Sequence, residues 1–500
     1  MQNNQVYFAT RLGFIAAALS MAVGTGNIWR FPRVAAANGG GAFTIALIIA
    51  LIVWAVPLLM SEMVIGRYGR KGTIGSYGDF MGRSFSWLGA WMGFVCLAIM
   101  FYYSVVTGWT IKYFVLSLQG AFKPGVDTQA LWNAFTTNPS ETILYHFVAM
   151  AIAFGIIYQG VTKGIEKYTR IMMPALLVLL VVAALRAITL PGAWQGVDYL
   201  FRVDPAYLLK AQTWLAAFTQ AAWSTGAGWG LLMTYAIYSR PKDDVGANSF
   251  IIGFGDISIA LIAGLAVLPT IFALAPSPEF AQQALGAGNT GLTFIYMAQL
   301  FPTMPGGSII AACFFLALAF AAITSLLSMI ELGVANLVTA GWERKKAAIY
   351  TAMAGFILGI PSAYSLNFLD NQDWVWGVGL LISGLFTAWA VMKFGTEKVR
   401  KELINHEGSV MYIGSWFNTM IYLIPVVFAA IFGWWVWQSI TWYPDNWWSV
   451  TEVFSVGTMV VQWAVVLAIF IAANKWLGDY FNPNGKMLKV PAGKSVKGGK

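Results

Sequence analysis

The chain is poor in the residues from which most soluble catalysts are built. Its 500 residues include two cysteines and two histidines. Cys96 and Cys313 each sit within an apolar stretch and read as inert small hydrophobes rather than a disulfide. His146 and His406 read as lone residues in or near loops, which leaves no metal cluster and no His-based triad. Charged residues make up only 10%, against about 25% in ordinary soluble domains. No Asn-x-Ser/Thr site with a permitted middle residue occurs, so no glycosylated outer loop is implied. The Gly-x-Gly runs lack a strand–turn–helix context and no ATP-binding motif is found, so any energy source is expected to be an ion gradient. The amino terminus is short and polar, and the first apolar run is too long for a signal peptide, so the chain is expected to start in the cytoplasm.

What the chain does have is apolar length: 58% of its residues are hydrophobic. A bilayer core takes about 20 apolar residues per helix. On that measure about twelve spans are predicted, near 12–37, 41–65, 87–118, 143–159, 168–190, 214–238, 249–273, 308–340, 347–361, 374–394, 415–437 and 450–473. The fold class expected is therefore an all-α polytopic membrane protein. Most of the 30 Lys and Arg fall in loops on one side, which puts both termini in the cytoplasm. The net charge of +9 thus reads as topology, with the lipid bilayer as partner and no nucleic acid. Two outer segments, 119–141 and 277–301, interrupt the pattern, and the second is expected to cap an outer vestibule. The last two spans, within 412–474, carry no polar motif and read as accessory helices, either scaffold or an oligomer face. The Gly/Lys-rich stretch 475–500 is expected to be a disordered cytoplasmic tail, and 1–10 a short cytoplasmic N-terminus.

Two spans contain what a continuous helix avoids. The first runs through Gly24-Thr25-Gly26-Asn27, and the sixth through Ser224-Thr225-Gly226-Ala227-Gly228-Trp229-Gly230. Each glycine weakens a helix by roughly 1 kcal/mol, and unpaired backbone groups in lipid must line a cavity or hold a ligand. Paired interruptions in corresponding spans point to two five-helix halves of inverted topology, 11–190 and 208–395, forming a ten-helix transport core over 11–395. At the first break, freed carbonyls would hold a cation and exposed amides near Gly26 a carboxylate. The Asn27 oxygen suits a hard ion such as Na+. The bland alternative, a glycine-rich packing face, is weakened by there being two breaks, both followed by aromatic and polar residues.

Ala9-Thr-Arg-Leu-Gly13, Val23-Gly-Thr-Gly-Asn-Ile-Trp-Arg-Phe-Pro32, Asn38-Gly-Gly-Gly-Ala-Phe43 and Gly66-Arg-Tyr-Gly69 resemble the sodium-coupled neurotransmitter symporters, in their bacterial amino-acid-transporter branch. The resemblance continues through Tyr102-Tyr103, the sixth span, Thr324-Ser325 and Asp373, and covers about 9–394. It implies a leucine-transporter fold, a 5+5 inverted repeat with broken first and sixth helices, in a bacterial inner membrane. The activity implied is sodium-coupled import of an amino acid by alternating access, without enzymatic chemistry.

The resemblance also implies two co-transported sodium ions. The first would be held by the Ala22 carbonyl, Asn27, Ser224 and Asp256, with the substrate carboxylate. Where Asp256 stands the family often has an amide, and a carboxylate would bind sodium more strongly or titrate. The second would be held by the carbonyls of Ser20, Val23 and Ala321 with the hydroxyls of Thr324 and Ser325, although neighbouring helix hydroxyls commonly bond back to their own helix. The implied substrate pocket comprises Met21, Ala22, Thr25, Gly26, Ile99, Tyr103, Trp223, Ser224, Gly226, Trp229, Ser325 and Met329, with Tyr103 on the carboxylate. Gly24 replaces the acid that monoamine carriers use, which favours an amino acid. Trp223, Trp229 and Met329 favour a bulky apolar or aromatic side chain.

Arg30 and Asp373 resemble the family's outer gate; a permanent ion pair is the structural alternative. The inner gate departs from the pattern, since its usual Arg falls at Gln5 and its acid at Thr339, leaving contacts such as Tyr238. Glu62 and Glu331 are further acids in or near spans. Chloride-dependent relatives need a Tyr and a Ser where this chain has Leu47 and Ala260, and Gln220 with Ser224 makes a poor anion site, so no chloride is expected. A channel would need a continuous polar stripe that no span shows. A transporter-like receptor that binds without moving substrate is the remaining alternative.

Overall fold

The computed structural model describes residues 6–482. Among them, nine helices are long and apolar enough to cross a membrane, and two bent pairs raise the figure to 11. The sixth expected span adds to neither figure because its halves, Ala211–Ser224 and Leu231–Ala236, are short and lie on either side of a longer break, 225–230. No strand is named among the described residues; a single bridge joins Gly40 to Val203.

Both interruptions are present. The first helix ends at Ala22, Val23 turns extended (φ −73°, ψ 95°), and the chain resumes as a wide π-type turn over Gly26–Arg30, with Pro32 opening the helix Phe31–Ala37. The two limbs are bent by 51°. In the sixth span Gly226, Gly228 and Gly230 take φ of +72°, +91° and +76°, a region that side chains with a Cβ occupy at a cost. At Gly228 there is also no room, because a Cβ would lie 2.9 Å from the Gly384 Cα.

The core sits where the third span, Ser86–Leu118, packs along the eighth, Gly307–Thr339. The broken spans lie against this pair, which places both breaks at its middle. The segment 277–301 is mostly helical, with Pro278–Gly286 and a π-type turn Gly291–Met297, and its Asn289 accepts a 3.0 Å bond from Arg33.

Three expectations change. The tenth span begins at Leu366 rather than 374, because Ser365 caps it by accepting from the Phe368 amide. His146 is not in a loop but fully buried in the fourth span, Pro139–Tyr158, with Nε2 3.0 Å from the Phe356 carbonyl. The tail expected to be disordered from Lys475 instead starts with a helix, Asn474–Phe481, bent 62° from the last span. Its apolar face buries Leu477 and Phe481, and Asn482 joins Lys71, Asp79 and Arg83. Gln5 and the lysines from Lys486 onward lie outside the described residues.

Candidate functional site

The two breaks open onto one cavity of about 550 Å³. All twelve residues expected to form a substrate pocket line it. Met21, Ala22, Thr25 and Gly26 come from the first break, and Ile99 and Tyr103 from the third span. Trp223, Ser224, Gly226 and Trp229 come from the sixth, and Ser325 and Met329 from the eighth. The walls are mainly apolar with a few convergent polar groups, the usual make-up of a small-molecule site. The Tyr103 hydroxyl accepts from the Thr25 amide at 3.3 Å and faces Gly24, where a Cβ would lie 3.2 Å from it and 3.0 Å from Ser325 Oγ.

At the first expected sodium position, Asn27, Ser224 and Asp256 form one buried cluster. Asn27 Nδ2 donates to Asp256 Oδ1 at 2.6 Å, and Ser224 Oγ donates to Asp256 Oδ2 at 2.7 Å. Asn27 Oδ1 accepts from the Gly24 amide at 3.0 Å, holding the break in shape. Ala22 lies beside them on the cavity wall. Asp256 is 2% exposed, and among the described residues no Lys or Arg pairs with it. A buried carboxylate with only neutral donors is costly. The oxygen donors around it, carboxylate, amide and hydroxyl, suit a hard cation.

The second expected position is less assembled. Thr324 Oγ1 donates back to its own helix, to the Phe320 carbonyl at 2.9 Å and the Ala321 carbonyl at 3.2 Å. Ser325 Oγ lies 3.5 Å from the Met21 carbonyl, so it does reach across to the first break. Ser20 is fully buried and its hydroxyl has no partner, and Val23 forms the extended turn.

Arg30 and Asp373 both line the cavity but are not paired. Arg30 donates to Gln220 Oε1 at 3.2 Å and lies over the Trp223 ring, 4.4 Å from its centroid; Asp373 accepts from the Tyr102 hydroxyl at 2.8 Å. The alternative of a permanent ion pair is therefore not what the structure contains. On the opposite side the chain is closed. The fully buried Glu331 receives both guanidinium nitrogens of Arg344, at 2.8 and 2.7 Å, and the Tyr238 hydroxyl at 2.7 Å. Phe8 fits edge-on against Tyr235 and Tyr238 beside this cluster.

Sequence reasoning left the role of two acids open. Glu62, fully buried in the second span, accepts from the amides of Gly228 and Gly230 at 2.7 and 3.2 Å with one oxygen and of Met233 at 3.1 Å with the other. It satisfies the backbone that the sixth break frees. Glu331 could have been traced from the rule that an acid in a span needs a partner. The accessory segment also contributes Trp442 and Phe454 to the cavity wall, for which the sequence held no signal. Leu47 and Ala260 are buried and apolar, so they add no anion ligand.

Comparison with known proteins agrees with this geometry. The model of the sodium:neurotransmitter symporter family matches residues 5–140 and 138–477. An uncharacterized sodium-dependent transporter, YhdH of Bacillus subtilis (strain 168), is 30% identical over 86% of this chain and 98% of its own length. A second, MJ1319 of Methanocaldococcus jannaschii, is 27% identical over 85% of this chain and 89% of its own. Among solved structures, MhsT in complex with L-phenylalanine matches with a TM-score of 0.74 and 29% identity, over 86% of this chain and all of that one. The fold is thus the leucine-transporter fold that the resemblance in sequence implied.

Proposed function

Because this chain belongs to the sodium:neurotransmitter symporter family, a family of sodium-dependent membrane transporters, we propose that it imports an amino acid with a bulky apolar or aromatic side chain, together with two sodium ions and without chloride. The observation that carries this reading is Asp256: a buried carboxylate, at the junction of the two breaks, that has oxygen neighbours and no basic partner. A sodium ion there supplies the missing charge and gives the substrate carboxylate a cation to pair with. Asn27 has its oxygen on the Gly24 amide, so ion loading exchanges protein hydrogen bonds for metal–oxygen bonds. The fixed charge of Asp256 takes the place that chloride fills elsewhere, and the apolar Leu47 and Ala260 leave no anion site.

Tyr103 and the amides beside Gly26 are the groups placed for the substrate carboxylate, and Trp223, Trp229 and Met329 for its side chain. The phenylalanine bound by MhsT is in keeping with such a wall. Alternating access follows from the two ends. Arg30 and Asp373 stand apart on the side of the 277–301 cap, while Glu331, Arg344 and Tyr238 close the other. Substrate and sodium draw the first and sixth breaks together, bring Arg30 to Asp373, and the closed inner cluster then yields. The membrane is the inner membrane of a bacterium, with both termini cytoplasmic.

The test is uptake into proteoliposomes under an inward sodium gradient, screened over the twenty amino acids. Uptake that needs sodium and persists without chloride is expected, and Ser224→Ala and Asp256→Ala are each expected to abolish it. Undiminished uptake in those variants removes the first sodium site. A sodium-independent, ohmic flux indicates a channel, and binding without flux a receptor.

A further inference from the structure

We propose that Trp435, on the eleventh span outside the ten-helix core, is a positioning residue for the outer gate: it fixes the Trp223 ring on which Arg30 rests, and so sets how readily Arg30 crosses to Asp373. This rests on the reading of Arg30 and Asp373 as a gate given above.

The Trp223 ring is held from two directions. Its benzo edge enters a slot in the tenth span that exists because residue 377 is glycine; a Cβ there would lie 2.9 Å from Trp223 Cζ2. Trp435 stacks parallel to it, with centroids 6.1 Å apart and planes inclined by 3°. Trp435 in turn meets the edge of Trp374 at 5.4 Å, and Trp374 packs on Trp442 and Phe454. That cluster is tied down by polar bonds: Trp374 Nε1 donates to the Ser455 carbonyl at 3.0 Å, and Ser439 Oγ to the Phe454 carbonyl at 2.7 Å. The eleventh span and the loop after it, which carry no polar motif of their own, therefore reach the gate through a continuous aromatic stack. Arg30 has two resting places, the Trp223 face with Gln220 or the Asp373 carboxylate. A guanidinium is attracted to an indole face by the ring quadrupole, and the attraction counts only while the ring stays where the guanidinium can reach it. Loosening the ring weakens the open resting place and leaves Asp373 unchanged, which shifts the balance towards closure.

The experiment places a reporter, Thr290→Cys, on the cavity wall and follows its alkylation by a membrane-impermeant maleimide in sodium without substrate, above the background from the native cysteines. Trp435→Leu is expected to slow alkylation and to tighten sodium-dependent amino-acid binding, by about two- to thirtyfold, the span of cation–π strengths from exposed to desolvated. Trp435→Phe, which keeps an aromatic backing, is expected to stay near the parent. In an Asp373→Asn background Trp435→Leu is expected to change neither readout. Gly377→Ala presses on the same ring and is expected to act in the same direction, which keeps the proposal testable if Trp435→Leu does not fold. Equal shifts with and without the Asp373 charge, or no shift from either variant, overturn it. Alkylation needs no substrate, so a parent that takes up no amino acid would overturn the proposed function and still leave the Trp435 readout decisive.

Discussion

At the residue scale, the site depends on a few positions where one atom decides the outcome. Asp256 is the clearest. Asp256→Asn keeps the shape and removes the charge, so the sodium concentration for half-maximal uptake is expected to rise at least about tenfold. A decade corresponds to only about 1.4 kcal/mol, less than a buried unpaired charge represents. A sodium titration of uptake checks this, and an unchanged midpoint would show that the carboxylate is not a ligand. Gly228 is the steric counterpart. Its φ of +91° and the Gly384 Cα behind it make Gly228→Ala strained on two counts, with an expected loss of about 1–3 kcal/mol and a lower melting temperature in detergent. His406 lies in the loop between the tenth and eleventh spans. Burial, and then the Arg67 charge, hold its pKa below the ordinary 6.5. Its imidazole is thus neutral in the folded state, with Nε2 3.1 Å from the Asp243 carbonyl and Nδ1 accepting from the Gly408 amide at 3.0 Å. The unfolded chain takes up that proton first, so this contribution to stability is full above about pH 6.5 and is lost as pH falls towards the lowered value. Thermal melts at about pH 5.5 and 7.5 should show a fall that His406→Asn lacks.

At the scale of elements, the inner cluster invites the most direct test. Arg344→Ala removes the ion-pair partner of the fully buried Glu331, a loss of about 3–5 kcal/mol from the closed inner side. A Phe8→Cys reporter, buried against Tyr235 and Tyr238, is expected to react faster by about two orders of magnitude, and Glu331→Gln in the same chain should restore part of the protection. Elements also show what could be read from sequence. The breaks were legible because glycines interrupt an apolar run, and helix propensity acts locally. Which acid would satisfy the freed amides was not, since Glu62 lies 166 residues from Gly228 and only tertiary contact joins them. The start of the tenth span lies eight residues before the apolar run at Trp374, because its first turns are polar and a cap from Ser365, not hydropathy, begins the helix. The helix Asn474–Phe481 was hidden by the lysines and glycines that follow it.

At the scale of the whole molecule, both breaks lie at the middle of the packed third and eighth spans, so under the proposed reading each sodium ion that passes through the site crosses the membrane potential and does electrical work. Each Na+ moved through 100 mV contributes about 2.3 kcal/mol. An inside-negative potassium diffusion potential is expected to raise initial uptake into proteoliposomes, and an inside-positive one to suppress it; indifference to potential would rule out net charge movement. The two interruptions differ in how firmly they are moored. The sixth is clamped by three amide bonds to one carboxylate on another helix, whereas the first is held by dispersed single bonds: Asn27 to Gly24 and Asp256, Tyr103 to Thr25, and Ser325 to the Met21 carbonyl. Under the proposed reading the site works like a bench vice, with one jaw bolted to the frame at a single point and the other held by lighter fastenings. Sodium would then be the screw that seats the lighter jaw, and cargo arriving without it would meet a tool that cannot grip.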